Sequence, residues 1–181
     1  GDAGSDAMLE TYRHPHRRAH LGAAVAACRR ADLACMVDLL LGGPGETPAT
    51  VRETIEALRV AAPNCVGVAL GMRLYPGTRA LDLALAEGPP ETNPSLRRQG
   101  RGPVDLLAPV FYLASALGPT PAALVRELVG DDPRFFLPAD EAGHAGEDHN
   151  YNDHAPLLAA IARGERGAYW DILRRLGPDR G

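Results

Sequence analysis

The run from Leu33 to Leu41 (LACMVDLLL) passes directly into Gly42-Gly43-Pro44-Gly45 and then into Thr47-Pro48. A short apolar run bounded by glycine and proline reads as a buried strand. Glycine tolerates positive φ and proline ends a strand ladder, so 42–45 is a tight loop. Thr47 is a good N-cap and Pro48 suits a first helical position, which predicts a helix from about Pro48 to Ala62. A strand that feeds a loop and then a helix commits the chain to βα units, with parallel strands and right-handed crossovers. The rhythm continues downstream. Cys65 to Tyr75 (CVGVALGMRLY) reads as the next strand, Pro76-Gly77-Thr78 as its turn, and Arg79 to Glu87 as a helix. Upstream, His16 to Ala31 carries Ala19, Ala23 and Ala27 at helical spacing.

The pattern changes after Glu87. Residues 88–103 (GPPETNPSLRRQGRGP) read as a linker, and VDLLAPVFYLASALG and PTPAALVRELVG both read as helical, with Thr120 and Pro121 opening the second. Asp131 to Asp153 is polar and irregular, and Ala155 to Leu176 holds helices broken at Gly164 and Gly167. The expected organisation is therefore an α/β unit over 1–87, a linker over 88–103 and a mainly helical region over 104–181. Arginine supplies all 19 basic residues and the net charge is −4, which does not suit a nucleic-acid binder with its basic stripe. Asp38 interrupts the longest apolar run, so no membrane span is expected. Cys28, Cys35 and Cys65 are odd in number and widely spaced, and no signal-peptide pattern opens the chain. Both point to a reducing, cytoplasmic setting.

Strand alternation sorts the side chains. In the second strand Val66, Val68, Leu70, Met72 and Leu74 share a bulky face suited to packing under helices. The other face reads Gly67, Ala69, Gly71, Arg73 and Tyr75, nearly empty until its carboxyl end. Closed barrels fill their lumen with branched side chains, so small residues below polar ones describe a cavity with a functional mouth. Asp38 shares a face with Ala34 and Met36 in the first strand. An ionised Asp in an apolar strand is costly unless paired or solvated, so it should point into that cavity. The alternative is an Asp that bonds only a neighbouring backbone group or Arg.

The segment Asp38 to Thr47, followed by Leu74-Tyr75-Pro76-Gly77-Thr78, resembles the radical S-adenosylmethionine (radical SAM) enzymes, over roughly Gly1 to Glu87. The family's fold is a partial β/α barrel, and its members cleave SAM at a [4Fe-4S] cluster. The opening DAGSDAML is similar to the family's fourth-strand G-x-E-S-G-S-x-x-x-L, with Asp2 at the acidic position and Ala3 departing from Ser. Leu41, Gly43 and Glu46 match the last fixed positions of the fifth-strand G-x-I-x-G-x-x-E, while Leu39 departs from its first Gly. In the coproporphyrinogen-dehydrogenase branch, a polar fourth-strand residue, a helix Arg and a fifth-strand Asp hold the ribose and methionyl group of SAM. Asp2, Arg13 and Asp38 fall near those positions. The resemblance thus implies SAM binding by Asp2, Arg13, Asp38, Leu41, Gly43 and Glu46, with Arg73 and Tyr75 facing substrate. Leu41 is the adenine-backing position, yet alternation puts it opposite Asp38.

The family's C-x-x-x-C-x-x-C cluster motif, its second-strand Gly-Gly-Glu and a cobalamin signature H-x-x-x-x-D-x-x-G are all absent from the 181 residues. The loop at 42–47 is neither a P-loop, for want of its Lys, nor a dinucleotide fingerprint. The expectation is the carboxyl-terminal portion of a partial TIM-type β/α barrel with a mainly helical appendage. Its missing amino-terminal half, on the same polypeptide or a separate chain, is the partner that completes it. SAM and a [4Fe-4S] cluster are the cofactors of the parent enzyme, cobalamin is a third that the group allows, and the substrate is a small molecule or peptide. The alternative is a non-catalytic α/β module that binds a partner chain or small ligand. In the tail, His144, His149 and His154 lie among Glu141, Glu147, Asp148 and Asp153, either a solvated loop or a divalent-metal site. Asn150 to Asp153 and Tyr169 to Leu173 read as a tail over the barrel mouth or as apolar docking of the last helix. Phe135, Phe136 and Leu137 read as a further docking cluster.

Overall fold

Thr47 and Pro48 set the first crossover. In a computed structural model that describes residues 3–98, 104–137 and 155–176, the Thr47 hydroxyl accepts the Thr50 N–H at 3.3 Å and Pro48 occupies the first turn. The helix so started, α3 (Pro48–Ala61), ends where Ala62 turns left-handed at φ 51. It follows α1 (Asp6–Thr11), α2 (Arg18–Arg30) and β1 (Met36–Leu41), and it leads into β2 (Cys65–Leu70). β1 and β2 run parallel in register from Met36 opposite Cys65 to Leu41 opposite Leu70. A parallel pair needs a crossover element between its strands, and α3 is that element.

Beyond Leu70 the structure departs from the sequence reading. The chain does not continue as one strand to Tyr75. Gly71 takes φ 90 while its N–H donates to the Leu41 carbonyl at 2.8 Å, closing the β1 ladder. Only glycine makes such a turn without strain. The chain leaves as β3 (Met72–Arg73) into a second, antiparallel sheet ordered β3-β5-β4, with β4 (Leu96–Arg98) and β5 (Val110–Tyr112). Helix α4 (Arg79–Ala86) starts as expected, with the Thr78 hydroxyl accepting the Leu81 N–H at 3.3 Å.

The expected linker over 88–103 therefore contains a strand, and the expected helix over 104–118 holds β5 and one 3-10 turn, Ser115–Leu117. Pro109 removes a helical donor and biases Ala108 away from helix, and Val110-Phe111-Tyr112 has the β-branched and aromatic character of a strand. The buried Tyr112 phenol donates to the Glu87 carboxylate at 2.6 Å. Burial first, then that bond, pushes its pKa up to about 12. Helix α5 (Pro121–Val129) forms as read. Phe135-Phe136 is not merely a docking cluster. It is β6, parallel to β2, with Phe135 opposite Val66 and Phe136 opposite Gly67. The main sheet is thus β1-β2-β6, all parallel, and the later part of the chain contributes one of its strands. The fold is mixed α/β, with seven α-helices among the described residues. None of them is long and apolar enough to cross a membrane.

One face of the sheet is packed. Val37, Leu39 and Leu41 of β1 and Val66 and Val68 of β2 join Val51, Ile55 and Leu58 of α3 and Val125 and Val129 of α5 in the main core. Two arginines tie helix ends together. Arg29 Nη2 donates to the Ala62 carbonyl at 2.9 Å and Arg59 Nη2 to that of Leu128 at 2.9 Å, each supplying donors to the open carbonyls of a neighbouring helix. A smaller cluster joins α6 (Ala155–Ala162) to α7 (Tyr169–Leu176) through Leu157, Ala160, Ile172 and Leu173, with Phe136 and Tyr169 packed on it. This is the apolar docking of the last helix.

The segment before α1 is pinned by a fully buried hydroxyl, Thr54 Oγ1, which accepts the N–H groups of Gly4 and Ser5, each at 3.1 Å. Thr54→Val keeps the shape and leaves both donors unsatisfied. We expect a loss of about 2 kcal/mol of stability in urea denaturation. Thr54→Ser, which keeps the acceptor, should remain close to the parent.

Candidate functional site

Parallel sheets are normally covered on both faces. Here, among the described residues, no element packs on the face opposite the core over β1 and β2. That face carries Met36, Asp38 and Leu40, with Asp38 paired to Gly67 and Leu40 to Ala69. Asp38 is exposed, and Leu40 is 38% exposed in the middle of a strand. Gly67 makes room for the acid: a Cβ there would fall 2.5 Å from Asp38 Oδ1 and 2.6 Å from Met36 Cε. Strand alternation thus placed Asp38, Gly67 and Ala69 on one face, and the structure brings them together. Arg73 and Tyr75 do not continue that face, because the bend at Gly71 carries Arg73 into the second sheet and Tyr75 just beyond it. There the Arg73 guanidinium carbon lies 4.8 Å from the centre of the exposed Tyr75 ring.

At the carboxyl end of β1 the loop 42–46 is organised by a carboxylate. Glu46 is 3% exposed, and its Oε2 accepts the N–H groups of Gly42 and, at 3.3 Å, Gly43. The loop's donors are therefore turned inward to Glu46. Desolvation raises the Glu46 pKa from 4.5 to about 7, against the opposing pull of those two N–H groups. The Tyr12 hydroxyl donates to the Pro44 carbonyl at 3.0 Å, and the Ala114 N–H donates to the Gly42 carbonyl at 2.7 Å. Gly43 is required by close approach, since a Cβ would meet the Tyr12 hydroxyl at 2.2 Å.

The remaining sequence candidates are placed as follows. Arg13 is exposed just after α1 at φ 57. Leu41 is wholly buried in the main core, on the face opposite Asp38. No bulge turns it, so its side chain is a core group and does not reach the open face. Asp2, His144, His149, His154 and the stretch Asn150 to Asp153 lie outside the described residues. Cys35 and Cys65 stand at the amino ends of β1 and β2, away from the 42–46 loop, and Cys65 is fully buried. Among the described residues no group of three metal-capable side chains forms, so the cysteines do not fit an iron–sulfur cluster. A cavity of about 290 Å³ at the amino ends of the strands is lined by Arg29, Leu33, Asn64 and Arg174 of α7. The last helix therefore reaches the amino side of the sheet rather than covering the carboxyl ends of its strands. Alternation put Gly67 on the small face, but its register directly opposite Asp38 and the inward role of Glu46 were not legible in the sequence.

No model of a known protein family matches the chain, and no curated protein matches it. Two solved structures of the radical SAM methyltransferase TsrM from Kitasatospora setae do. The structure with cobalamin and a [4Fe-4S] cluster bound has a TM-score of 0.67 at 26% identity, covering 88% of this chain and 35% of that one. The structure with tryptophan substrate and the SAM analogue aza-SAM bound has a TM-score of 0.69 at 27% identity, with the same coverage. The chain spans about a third of the length of the solved chains it matches. This likeness supports a relation to the cobalamin-using radical SAM enzymes.

The buried Glu46 also makes stability pH-dependent. The folded chain holds this proton to higher pH than the unfolded chain, so the stability from neutral Glu46 is full below about 4.5 and is lost as pH rises through about 7. Glu46→Gln keeps an acceptor for Gly42 without the charge. At pH 8 it should exceed the parent by on the order of 2–3 kcal/mol in urea denaturation, a difference that shrinks towards pH 4.5.

Proposed function

We propose that the chain contributes SAM- and substrate-binding strands to a [4Fe-4S]-dependent radical SAM enzyme, as the carboxyl-terminal part of its partial β/α barrel. The observation that carries this reading is the exposed Asp38 carboxylate leaning over Gly67 on the face of a parallel sheet opposite its core. Ribose hydroxyls want an anionic acceptor, which an exposed carboxylate offers. In this reading a bound SAM would supply the radical chemistry, at a cluster held outside these residues. Asp38 accepts from the ribose, and Arg13 forks onto the methionyl carboxylate, as a planar guanidinium does well. Asp2 belongs to the same set. Gly43 and Glu46 hold the loop that borders the site, and Leu41 supports β1 from the core side rather than touching the ligand. Arg73 and Tyr75 meet substrate.

The cluster ligands and the rest of the barrel are assigned to residues outside these 181. Among the described residues β1 has β2 on one side only, which suits a strand from the missing half. Without that half the chain is inactive. Cobalamin enters from the family resemblance and from the likeness to TsrM, and a cytoplasmic setting goes with an iron–sulfur enzyme. The free edge of β1 also favours a second reading, a non-catalytic module that pairs with a partner chain.

The test uses the intact polypeptide that carries this chain, reconstituted anaerobically with iron and sulfide. An iron–sulfur absorption band is expected, and Asp38→Ala should weaken SAM binding by roughly tenfold or more in equilibrium dialysis. Absence of the band from the complete polypeptide, with strand-mediated capture of a partner, would favour the second reading. Unchanged SAM affinity in Asp38→Ala would remove the residue on which the site is built.

A further inference from the structure

The register of the second sheet sets Arg73 opposite Phe111 and Phe111 opposite Arg97, one row across three strands. Directly paired residues point to the same side of a sheet. The adjacent row, Met72, Tyr112 and Leu96, points inward, with Tyr112 buried and Leu96 half-buried against the core. The Arg–Phe–Arg row therefore faces out. Phe111 is 41% exposed and Tyr75 51% exposed, and both arginines are exposed. Tyr75 extends the row under the Arg73 guanidinium. Pro94 accepts from Arg97 Nη1, which anchors that head at the start of β4. Among the described residues neither arginine pairs with a carboxylate.

Phe111 and Tyr75 each keep about half of their surface in water, and among the described residues two cations go unmatched by acids. A ligand that stacks on the rings and carries an anion would engage both. Strands lie about 4.8 Å apart, so each arginine backbone lies roughly 5 Å from that of Phe111 and the two lie roughly 10 Å from each other, within reach of a group resting on the Phe111 ring. A guanidinium both stacks on aromatic faces and forks onto carboxylates. The strands are only two or three residues long, too short to seat an extended peptide, and the acidic chain does not suit nucleic acid.

We propose that Arg73, Tyr75, Phe111 and Arg97 form a platform for a small planar aromatic carboxylate, whose ring rests on the aromatic side chains and whose anion is held by the two arginines. The proposal deepens the substrate reading of Arg73 and Tyr75 and brings in Phe111 and Arg97, which that reading did not include.

Calorimetric titration of the intact polypeptide with three probes tests it: indole-3-carboxylate, indole, and cyclohexanecarboxylate. The first should bind saturably and about tenfold more tightly than either of the others, which lack the anion or the flat face. Phe111→Leu keeps apolar bulk and removes the ring, and Arg97→Ala removes one cation. Each should weaken indole-3-carboxylate by roughly threefold to tenfold with an unchanged circular dichroism spectrum. Equal affinity for indole-3-carboxylate and cyclohexanecarboxylate overturns the proposal, as does full affinity in either variant or no binding at all. SAM binding in the same samples keeps the two readings apart. Asp38→Ala should lose SAM and keep the carboxylate, and Phe111→Leu should do the reverse.

Discussion

The carboxylate of Glu46 sits at 3% exposure against the backbone of Gly42 and Gly43, and several parts of the fold converge on the loop it holds. Tyr12 reaches the loop from the end of α1, Ala114 from the segment after β5, and Thr47 starts α3 from its far side. The two glycines allow this convergence. Gly42 sits at positive φ and Gly43 leaves no room for a side chain beside Tyr12. A carboxylate in that position answers two backbone donors that would otherwise be buried without partners. What it costs in desolvation appears as its raised pKa.

That loop is also where the two sheets meet. Gly71 bonds to Leu41 on one side and releases β3 into the antiparallel sheet on the other. The Asp38 face and the Arg73–Phe111–Arg97 row therefore belong to neighbouring but separate surfaces, linked through one glycine. The parallel sheet presents an acid over small residues, suited to hydroxyl and amine donors. The antiparallel sheet presents cations and rings. A chain with nineteen arginines and no lysine has chosen the base that stacks and forks, and it uses the same side chain elsewhere to close helix ends, at Arg29 and Arg59.

Local chemistry was legible where one segment carries its own instructions. Thr47-Pro48 starts α3, the apolar run before Gly42 makes β1, and alternation sends Asp38 to the open face and Leu41 to the core. The bend at Gly71 was hidden because the alternation of Cys65 to Tyr75 passes through it unbroken, and a strand glycine looks the same whether it bends or stays extended. β4, β5 and β6 have two or three residues each, and no periodicity can be read from so few. Their strand character comes from partners elsewhere in the chain, as tertiary context overrides local preference. For the site, Asp38 was visible as a charge in an apolar strand. The inward turn of Glu46 was not, because its partners are backbone groups whose direction depends on the fold.

β6 joins β2 across almost seventy residues of intervening chain, with Phe135 beside Val66. The stretch that reads as a joint between an α/β part and a helical part is crossed by this pairing, so it is no seam. Assembly of the main sheet must wait until the segments beyond β3 have found their places, and the entropy of closing that span falls on the last strand to arrive. The β1–α3–β2 unit can collapse early from nearby contacts, whereas the third strand is added late. Until then β2 has an open edge, and during synthesis this part of the chain is completed by residues the ribosome has yet to supply.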